Sequence, residues 1–214
     1  FYPNPLQSMG QHLRQEWFGC ACCPSNAARF VPSLPQYIDA VKDNGLYVNL
    51  FNSNTVNVKI GKKQVELEQQ TNYPWDGDVT LKINKGNGQY ALNIRIPGWV
   101  KGDVVPSNLY TYTDGKHLKY SIKVNGEEVT SELKQGYFVI DRQWKKGDQV
   151  QIHFDMEPRL VRANGQVAAD KGRVAIERGP IVYCAEWPDN QCDIFSVLIN
   201  QEPKFQLGTK EIMN

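Results

Sequence analysis

Hydrophobic and polar residues alternate along most of the chain after residue 44, which is the pattern of β-strands with one buried face. The alternation is clearest in Val79-Thr-Leu-Lys-Ile83, Leu92-Asn-Ile-Arg-Ile96 and Val150-Gln-Ile-His-Phe154. The predicted strands are 46–51, 54–60, 64–72, 78–84, 89–96, 119–124, 137–142, 149–155, 159–163, 173–178, 180–186 and 194–199. Turn signals such as Asn125-Gly126 separate them. Many short strands without intervening helices predict a mainly β fold built as an antiparallel β-sandwich.

A helical pattern precedes the strands. Apolar residues recur there at three- and four-residue spacing, at Val31, Leu34, Ile38 and Val41. This spacing predicts a helix over 25–42, ended by Asp43-Asn44-Gly45. Pro32 and Pro35 fall inside it, and a proline costs about 3 kcal/mol in a helix interior. We therefore expect a kink or break near 31–35.

The chain divides at two points where the pattern changes. The helical pattern ends at residue 44, and Met156-Glu157-Pro158-Arg159 interrupts the strand pattern. We therefore predict three parts: 1–44, a β-sandwich over 45–155, and a second β-sandwich over 156–214 that is incomplete.

Charge and hydropathy exclude some classes of function. The net charge is +1, so the sequence has no basic footprint for nucleic acid. No apolar run approaches the roughly 18–20 residues needed to span a bilayer. The chain opens on Phe1 rather than Met, without the basic start and apolar core of a signal peptide. We expect a piece of a longer protein, and the sequence leaves its compartment open between export and the cytoplasm.

Three of the five cysteines, Cys20, Cys22 and Cys23, lie directly ahead of Pro24-Ser25-Asn26. Proline in a first turn and Ser or Asn as a cap are typical of a helix start. The helix dipole favours the thiolate there, and thiolate is the nucleophilic and metal-binding form of cysteine. The cluster predicts a nucleophile or a metal ligand, with buried reduced thiols as the alternative. A closed zinc site takes four ligands, and these cysteines alone cannot supply it.

The other candidate residues are weaker. Cys184 and Cys192 either form a disulfide in an exported protein or leave Cys184 as a buried apolar residue. His153 is expected to face solvent, and so is His12, although His12 lies near the cysteines.

Tryptophans and carboxylates are further weak candidates. Four tryptophans could stack on sugar rings if exposed, although packing is the favoured role: Trp75, Trp99, Trp144 and Trp187. The carboxylates nearest the helix are few: Glu16, Asp39 and Asp43. Glu16 could reach the site, although a solvated loop residue is the favoured interpretation, so no convincing general acid is visible.

The stretch Trp17-Phe-Gly-Cys-Ala-Cys-Cys-Pro-Ser-Asn-Ala-Ala-Arg29 resembles the β-L-arabinofuranosidase families of glycoside hydrolases, family 127 and its relative family 146. The resemblance covers most of the chain. It continues through Tyr2-Pro-Asn-Pro-Leu6, Gly45-Leu-Tyr-Val-Asn-Leu-Phe51, Asn72-Tyr-Pro-Trp-Asp-Gly77, Arg95-Ile-Pro-Gly-Trp99 and Gly172-Arg-Val-Ala-Ile-Glu-Arg-Gly-Pro-Ile-Val-Tyr183.

The resemblance implies an architecture and a mechanism. In these families an (α/α)6-barrel catalytic domain precedes β-sandwiches, so 1–44 would be the end of the barrel with its last helix. A cysteine thiolate attacks the anomeric carbon with retention, and zinc is held by three cysteines and a glutamate. By resemblance Cys22 is the nucleophile and a zinc ligand, Cys23 is a second zinc ligand, and Cys20 is not a ligand.

The resemblance also implies what this chain lacks. The remaining ligands, the acid/base glutamate and the sugar-binding histidines would precede residue 1, so we expect these 214 residues alone to be inactive. The implied partner is an L-arabinofuranose-containing glycan, and a homo-oligomer formed through the sandwiches stays open. The alternative function is a non-catalytic carbohydrate-binding or structural β-sandwich module.

Overall fold

A broken helical segment leads into the β-structure in the computed structural model, which describes residues 22–200 and 203–209. Helix α1 (Cys22–Phe30) is followed by a 3-10 turn (Val31–Ser33) and the short helix α2 (Pro35–Ile38). The predicted break is confirmed, because Pro32 lies in the 3-10 turn and Pro35 begins α2. Each proline lies where its missing N–H costs no helical hydrogen bond.

The predicted C-terminal end of this helix is wrong. Residues 39–42 form a strand that pairs antiparallel with 45–48, and Lys42 lies opposite Gly45. The two-residue connection places Asp43 at φ 53°, a conformation that Asp tolerates better than most residues. Hairpin pairing supplies backbone hydrogen bonds that a further helical turn would otherwise have made, so the tertiary partner overrides the helical spacing.

Fifteen strands are present in the described residues, and they form three sheets. The five-stranded sheet has the order β1-β2-β6-β11-β10, and the six-stranded sheet has the order β3-β4-β5-β12-β8-β9. The four-stranded sheet has the order β15-β14-β13-β7. The strands are β1 (Asp39–Lys42), β2 (Gly45–Val48), β3 (Asn54–Ile60), β4 (Lys63–Thr71), β5 (Asp78–Lys85), β6 (Gly88–Arg95), β7 (Tyr110–Tyr112), β8 (Tyr120–Val124), β9 (Glu127–Glu128), β10 (Leu133–Lys134), β11 (Tyr137–Trp144), β12 (Gln149–Phe154), β13 (Pro158–Ala163), β14 (Ala175–Arg178) and β15 (Ile181–Tyr183).

The five- and six-stranded sheets share one hydrophobic core. Alternate residues of their strands are buried, as in β12, where Val150, Ile152 and Phe154 point inward. Trp144 is fully buried and its Nε1 donates to the carbonyl oxygen of Tyr90 at 3.0 Å. The mainly β, antiparallel fold is confirmed, with one parallel pairing between β2 and β6.

The four-stranded sheet includes β7, a strand that comes much earlier in the chain than β13, β14 and β15. Strand β13 pairs with β14 on one side and with β7 on the other. The two predicted domain boundaries, between residues 44 and 45 and between residues 155 and 156, stay predictions.

The predicted strand at 194–199 is wrong. Ile194–Ser196 is a 3-10 turn, and the Asp193 side chain accepts a hydrogen bond from the Phe195 N–H at 2.9 Å. This local bond offers the backbone an alternative to a strand ladder. Leu198 is 92% exposed, so the apolar run at 194–199 does not join the core.

No helix within 22–200 or 203–209 is long and apolar enough to cross a membrane.

Candidate functional site

The backbone of Cys22 and Cys23 occupies the first described turn of α1. Cys20, His12 and Glu16 lie outside the described residues, so their predicted roles stay predictions. Cys22 and Cys23 therefore lie in a helix, and only a few residues separate that helix from the first strand of the sandwich. Helix α2 ends at Ile38, which is buried and whose carbonyl oxygen accepts the Asn49 N–H at 2.8 Å.

Helix α1 lies on the surface of the described part of the chain. Its described side chains from Pro24 to Phe30 are all exposed. Two local bonds stabilise it: Arg29 Nη2 donates to Asn26 Oδ1 at 3.1 Å, and the Ser33 hydroxyl donates to the Phe30 carbonyl at 2.6 Å. The arrangement presents the cysteine-bearing helix outward, where further groups can approach it.

Asp39 is a carboxylate at the start of strand β1, close to the end of α2. It is partly buried, and this burial raises the pKa of its carboxyl group. The Asn54 side-chain N–H donates to Asp39 Oδ2 at 2.7 Å, which opposes part of that rise. The sequence predicts a helix over 25–42 and therefore gives no sign that Asp39 lies in a strand and is partly buried. Asp43 is exposed.

The described residues do not complete a metal site. Among them, no three His, Cys, Asp or Glu side chains are grouped in a way that could hold a metal ion. Cys22 and Cys23 supply two ligands of the kind that zinc binds, and a structural or catalytic zinc site needs at least one more protein ligand. The two cysteines are therefore the right kind of ligand for zinc, but two ligands are too few to hold it.

The tryptophans divide into packed and exposed residues. Trp99 and Trp144 are buried in the core, which confirms the packing role favoured for them. Trp187 is partly buried, and its ring centroid lies 6.3 Å from that of Phe195. Trp75 is 72% exposed and is the candidate for a contact outside the described structure.

Cys184 and Cys192 are both exposed, and neither forms a disulfide. The prediction that Cys184 is a buried apolar residue is wrong. Strand β15 ends at Tyr183, so Cys184 falls just beyond the sheet, and its thiol contacts Glu186 Oε1 at 3.7 Å.

His153 faces solvent, as its alternation with buried neighbours predicts. Its Nδ1 lies 2.6 Å from Asp78 Oδ1, and its Nε2 lies 3.4 Å from Asp155 Oδ1. The hydrogen bond that His153 donates to the Asp78 carboxylate raises the pKa of His153. His153 and Asp78 border a concavity of about 310 Å³ on the outer face of the six-stranded sheet. Sequence reasoning missed the cluster because its members lie on different strands.

A cavity of about 680 Å³ lies beside the four-stranded sheet, under the segment around Leu198. Its lining within the described residues is largely apolar, with Ile176 and Phe195 among them, and includes no carboxylate. Glycoside hydrolysis normally requires a carboxylic acid, and the described lining of this cavity offers none.

Comparison with known proteins identifies the family to which the chain is similar. Residues 45–156 match the model of the β-L-arabinofuranosidase GH127 middle domain, and residues 158–209 match the glycoside hydrolase family 127 C-terminal domain. A non-reducing end β-L-arabinofuranosidase from Bifidobacterium longum subsp. longum is 36% identical over 208 residues, covering 91% of this chain and 28% of that protein.

Solved structures agree with these matches. A GH127 β-arabinofuranosidase is 56% identical with a TM-score of 0.91, over 98% of this chain and 33% of that one. A GH127 β-L-arabinofuranosidase from Geobacillus stearothermophilus T6 is 38% identical with a TM-score of 0.67, over 79% of this chain and 25% of that one. The chain therefore spans about a third or less of the length of these relatives.

Proposed function

This chain belongs to glycoside hydrolase family 127, and from that premise we propose that it is part of a retaining enzyme that cleaves β-L-arabinofuranosides. The observation that carries the proposal is the family match, together with a paired cysteine on a surface helix that leads directly into the matched region. The similar protein from Bifidobacterium longum is a non-reducing end β-L-arabinofuranosidase, and the proposed substrate class is taken from it.

In the proposed mechanism Cys22 is the nucleophile. Its thiolate sulfur forms a bond to the anomeric carbon while the bond from that carbon to the leaving oxygen breaks. The leaving oxygen takes a proton from a carboxylic acid outside this chain. Water then attacks the anomeric carbon from the opposite face and passes a proton to the carboxylate, which restores the acid. The carbon–sulfur bond breaks in the same step, and its electron pair restores the thiolate. Two displacements leave the anomeric configuration unchanged.

Cys22 and Cys23 would hold a zinc ion, with further ligands from outside the described residues. Bound zinc keeps a coordinating thiol deprotonated, which would maintain Cys22 as thiolate at neutral pH. This chain would contribute the two sulfur ligands and the helix that fixes their spacing.

Substitution of each cysteine in the longer protein tests the proposal. We expect Cys22→Ser to abolish hydrolysis of an aryl β-L-arabinofuranoside, and both Cys22→Ser and Cys23→Ser to lower the zinc content measured by elemental analysis. Cys192→Ser is the matched control, because Cys192 is exposed and forms no disulfide. Full activity of the Cys22→Ser protein would refute the nucleophile assignment.

A non-catalytic carbohydrate-binding module is the second candidate function. The concavity beside His153 favours it, because Thr80, Lys123 and Gln151 also line it and offer polar groups to a sugar hydroxyl. Titration of the 214-residue chain with arabino-oligosaccharides, with Gln151→Ala as the variant, tests this candidate. Binding that Gln151→Ala weakens would support it, and no binding would leave the sandwiches a structural role.

A further inference from the structure

We propose that one end of the first sandwich binds a carboxylated polysaccharide through a group of lysines. We call this surface the lysine end. It consists of five residues from three neighbouring turns: Lys62, Lys63, Lys85, Lys145 and Lys146. The inference rests on the proposed function, because it takes the ligand to be the acidic part of the glycan that carries the arabinofuranosyl group.

Contacts between side chains and backbone bring the three turns together. The turn between β3 and β4 carries Lys63, whose stem lies against Gly88, since a Cβ on Gly88 would lie 2.5 Å from Lys63 Cε. Gly88 follows Asn87, whose Oδ1 accepts the Lys146 N–H at 2.8 Å. Lys85 ends β5, two residues before Asn87. The lysines are therefore neighbours although they are distant in sequence.

The ammonium groups at the lysine end form no ion pairs within the described part of the chain. Two carboxylates lie nearby. Glu66 is opposite Lys85 in the pairing of β4 with β5. Asp148 already accepts from Asn125 Nδ2 at 3.0 Å and from the Lys145 N–H at 2.9 Å. Positive charge therefore exceeds negative charge at this end, which favours the binding of an anion.

The strands separate the charges of the first sandwich, although the net charge of the chain is only +1. Strand β5 begins at Asp78 and ends at Lys85. Asp155 follows the antiparallel neighbour β12, whereas Lys145 and Lys146 precede it. Carboxylates therefore collect at one end of these strands and ammonium groups at the other. Such a local positive surface attracts a polyanion even when the whole molecule is nearly neutral.

Backbone hydrogen bonds fix the turn that carries Lys145 and Lys146. The Gly147 N–H donates to the Ile83 carbonyl at 2.7 Å, and the Ile83 N–H donates to the Asp148 carbonyl at 2.9 Å. Lysine side chains lose rotamer freedom when they bind a ligand, but the backbone of this turn is already ordered. The fold therefore lowers the entropy cost of binding.

The chemistry of the lysine end favours one class of polyanion. Its described turns, 61–63, 85–88 and 145–148, contain no exposed large apolar side chain. Such side chains would enter a membrane surface, and exposed aromatic rings would stack on the bases of a single-stranded nucleic acid. A polysaccharide of uronic acids requires neither. Lysine pairs with its carboxylates, and the exposed amides of Gln64 and Asn87 suit its hydroxyl groups.

Binding of polygalacturonate to the 214-residue chain, measured by isothermal titration, tests the proposal. We expect binding that is clear at about 50 mM salt and weakens as salt is added, because exposed charges are screened. A neutral arabinan should not displace the polygalacturonate. Displacement by the arabinan, or no binding of polygalacturonate, would overturn the proposal. A short DNA duplex that binds as tightly as polygalacturonate would also overturn it, because any polyanion would then suffice.

Two triple variants with the same loss of charge locate the site. The first neutralises exposed residues of the lysine end: Lys62→Gln, Lys145→Gln and Lys146→Gln. The control neutralises exposed lysines at the other end of the strands and beside the four-stranded sheet: Lys119→Gln, Lys134→Gln and Lys171→Gln. We expect about a tenfold loss of affinity in the first and less than about a twofold loss in the control, since exposed charge pairs are individually weak. Equal losses would overturn the proposal.

The longer protein separates this inference from the proposed activity. The lysine-end variant should hydrolyse an uncharged aryl β-L-arabinofuranoside with unchanged kcat and KM. Its KM for arabinofuranosyl groups on an acidic polysaccharide should rise by the factor lost in binding, and an unchanged KM would contradict the proposal. Failure of the longer protein to bind polygalacturonate would overturn it as well. A longer protein that binds polygalacturonate but hydrolyses no arabinofuranoside would refute the proposed function while supporting the lysine end as a binding surface.

Discussion

The guanidinium carbon of Arg159 lies 3.4 Å from the ring centroid of Tyr112, and the Tyr112 hydroxyl donates a hydrogen bond to Glu177. Arg159 is buried and forms an ion pair with Asp114 at 2.6 Å. Its Nη1 also donates to the Trp99 carbonyl at 3.3 Å. Since these residues come from β7, β13, β14 and the loops beside them, one side chain joins the four-stranded sheet to the first sandwich.

Removing Arg159 should destabilise the whole described structure. Arg159→Ala removes the cation that pairs with Asp114, whose side chain is 31% exposed, and that lies near the buried carboxylate of Glu177. Breaking a fully buried pair in this way costs about 3–5 kcal/mol, which is the upper bound here because Asp114 can be hydrated. Urea unfolding of the 214-residue chain measures the change in the free energy of unfolding. Arg162→Ala on the same strand is the control, because Arg162 is exposed and should change that free energy by less than about 0.5 kcal/mol. Equal stability of the two variants would contradict the account of Arg159.

Gly77 tolerates no side chain. A Cβ there would lie 1.9 Å from the carbonyl oxygen of Phe154, whose N–H donates to the Gly77 carbonyl at 3.0 Å. We expect Gly77→Ala to lower the free energy of unfolding by about 1–3 kcal/mol or more, since backbone must move to relieve the overlap. Gly165→Ala is the control, because a Cβ at that position meets nothing within 4 Å. The thermal midpoints of the two variants provide the comparison.

The ion pair of His153 makes a pH-dependent contribution to stability. Asp78 raises the pKa of His153 in the folded state, so folding favours the protonated ring. This stabilisation is fully present below the pKa of the unfolded state, about 6.5, and is lost as pH rises through the folded-state pKa. The contribution is small because the side chains of both partners are more than half exposed.

A proton NMR titration of His153 checks the assignment. Asp78→Asn should lower the pKa of His153 because it removes the carboxylate at 2.6 Å. Asp155→Asn should lower it less, because that carboxylate lies at 3.4 Å and contributes less to the shift. A pKa that is unchanged in Asp78→Asn would show that the 2.6 Å contact does not persist in solution.

Local sequence patterns correctly predict the elements that depend only on neighbouring residues. Alternation in β5, β6 and β12 predicts strands whose alternate residues are indeed buried, and Asn125-Gly126 forms a turn with both residues at positive φ. Pro32 and Pro35 place the helix break correctly because their effect on the backbone does not depend on partners.

Features that depend on distant partners were not predictable. Residues 39–42 become a strand because 45–48 pair with them, and β7 exists because β13 lies beside it. The Arg159 and His153 clusters each unite residues separated by more than forty positions, so no local motif marks them. The roles of Cys22 and Cys23 stay predictions, because the groups that would complete their site lie outside the described residues.

These 214 residues alone should show no hydrolysis of an aryl β-L-arabinofuranoside. The chain offers the cysteine pair, but the resemblance places its acid/base and sugar-binding partners upstream. A sensitive fluorogenic assay at high protein concentration checks this, with the longer protein as the positive control. Turnover by the chain that disappears in Cys22→Ser would show that the upstream partners are dispensable.

The central claim is that the sulfur of Cys22 bonds to the sugar during turnover. Peptide mass spectrometry of the longer protein, acid-quenched during hydrolysis of an aryl β-L-arabinofuranoside, tests it most directly. The account predicts an adduct with the mass of one anhydropentose on the peptide that contains Cys22, and no adduct in Cys22→Ser. An adduct on any other residue, or undiminished turnover by Cys22→Ser, would contradict the account.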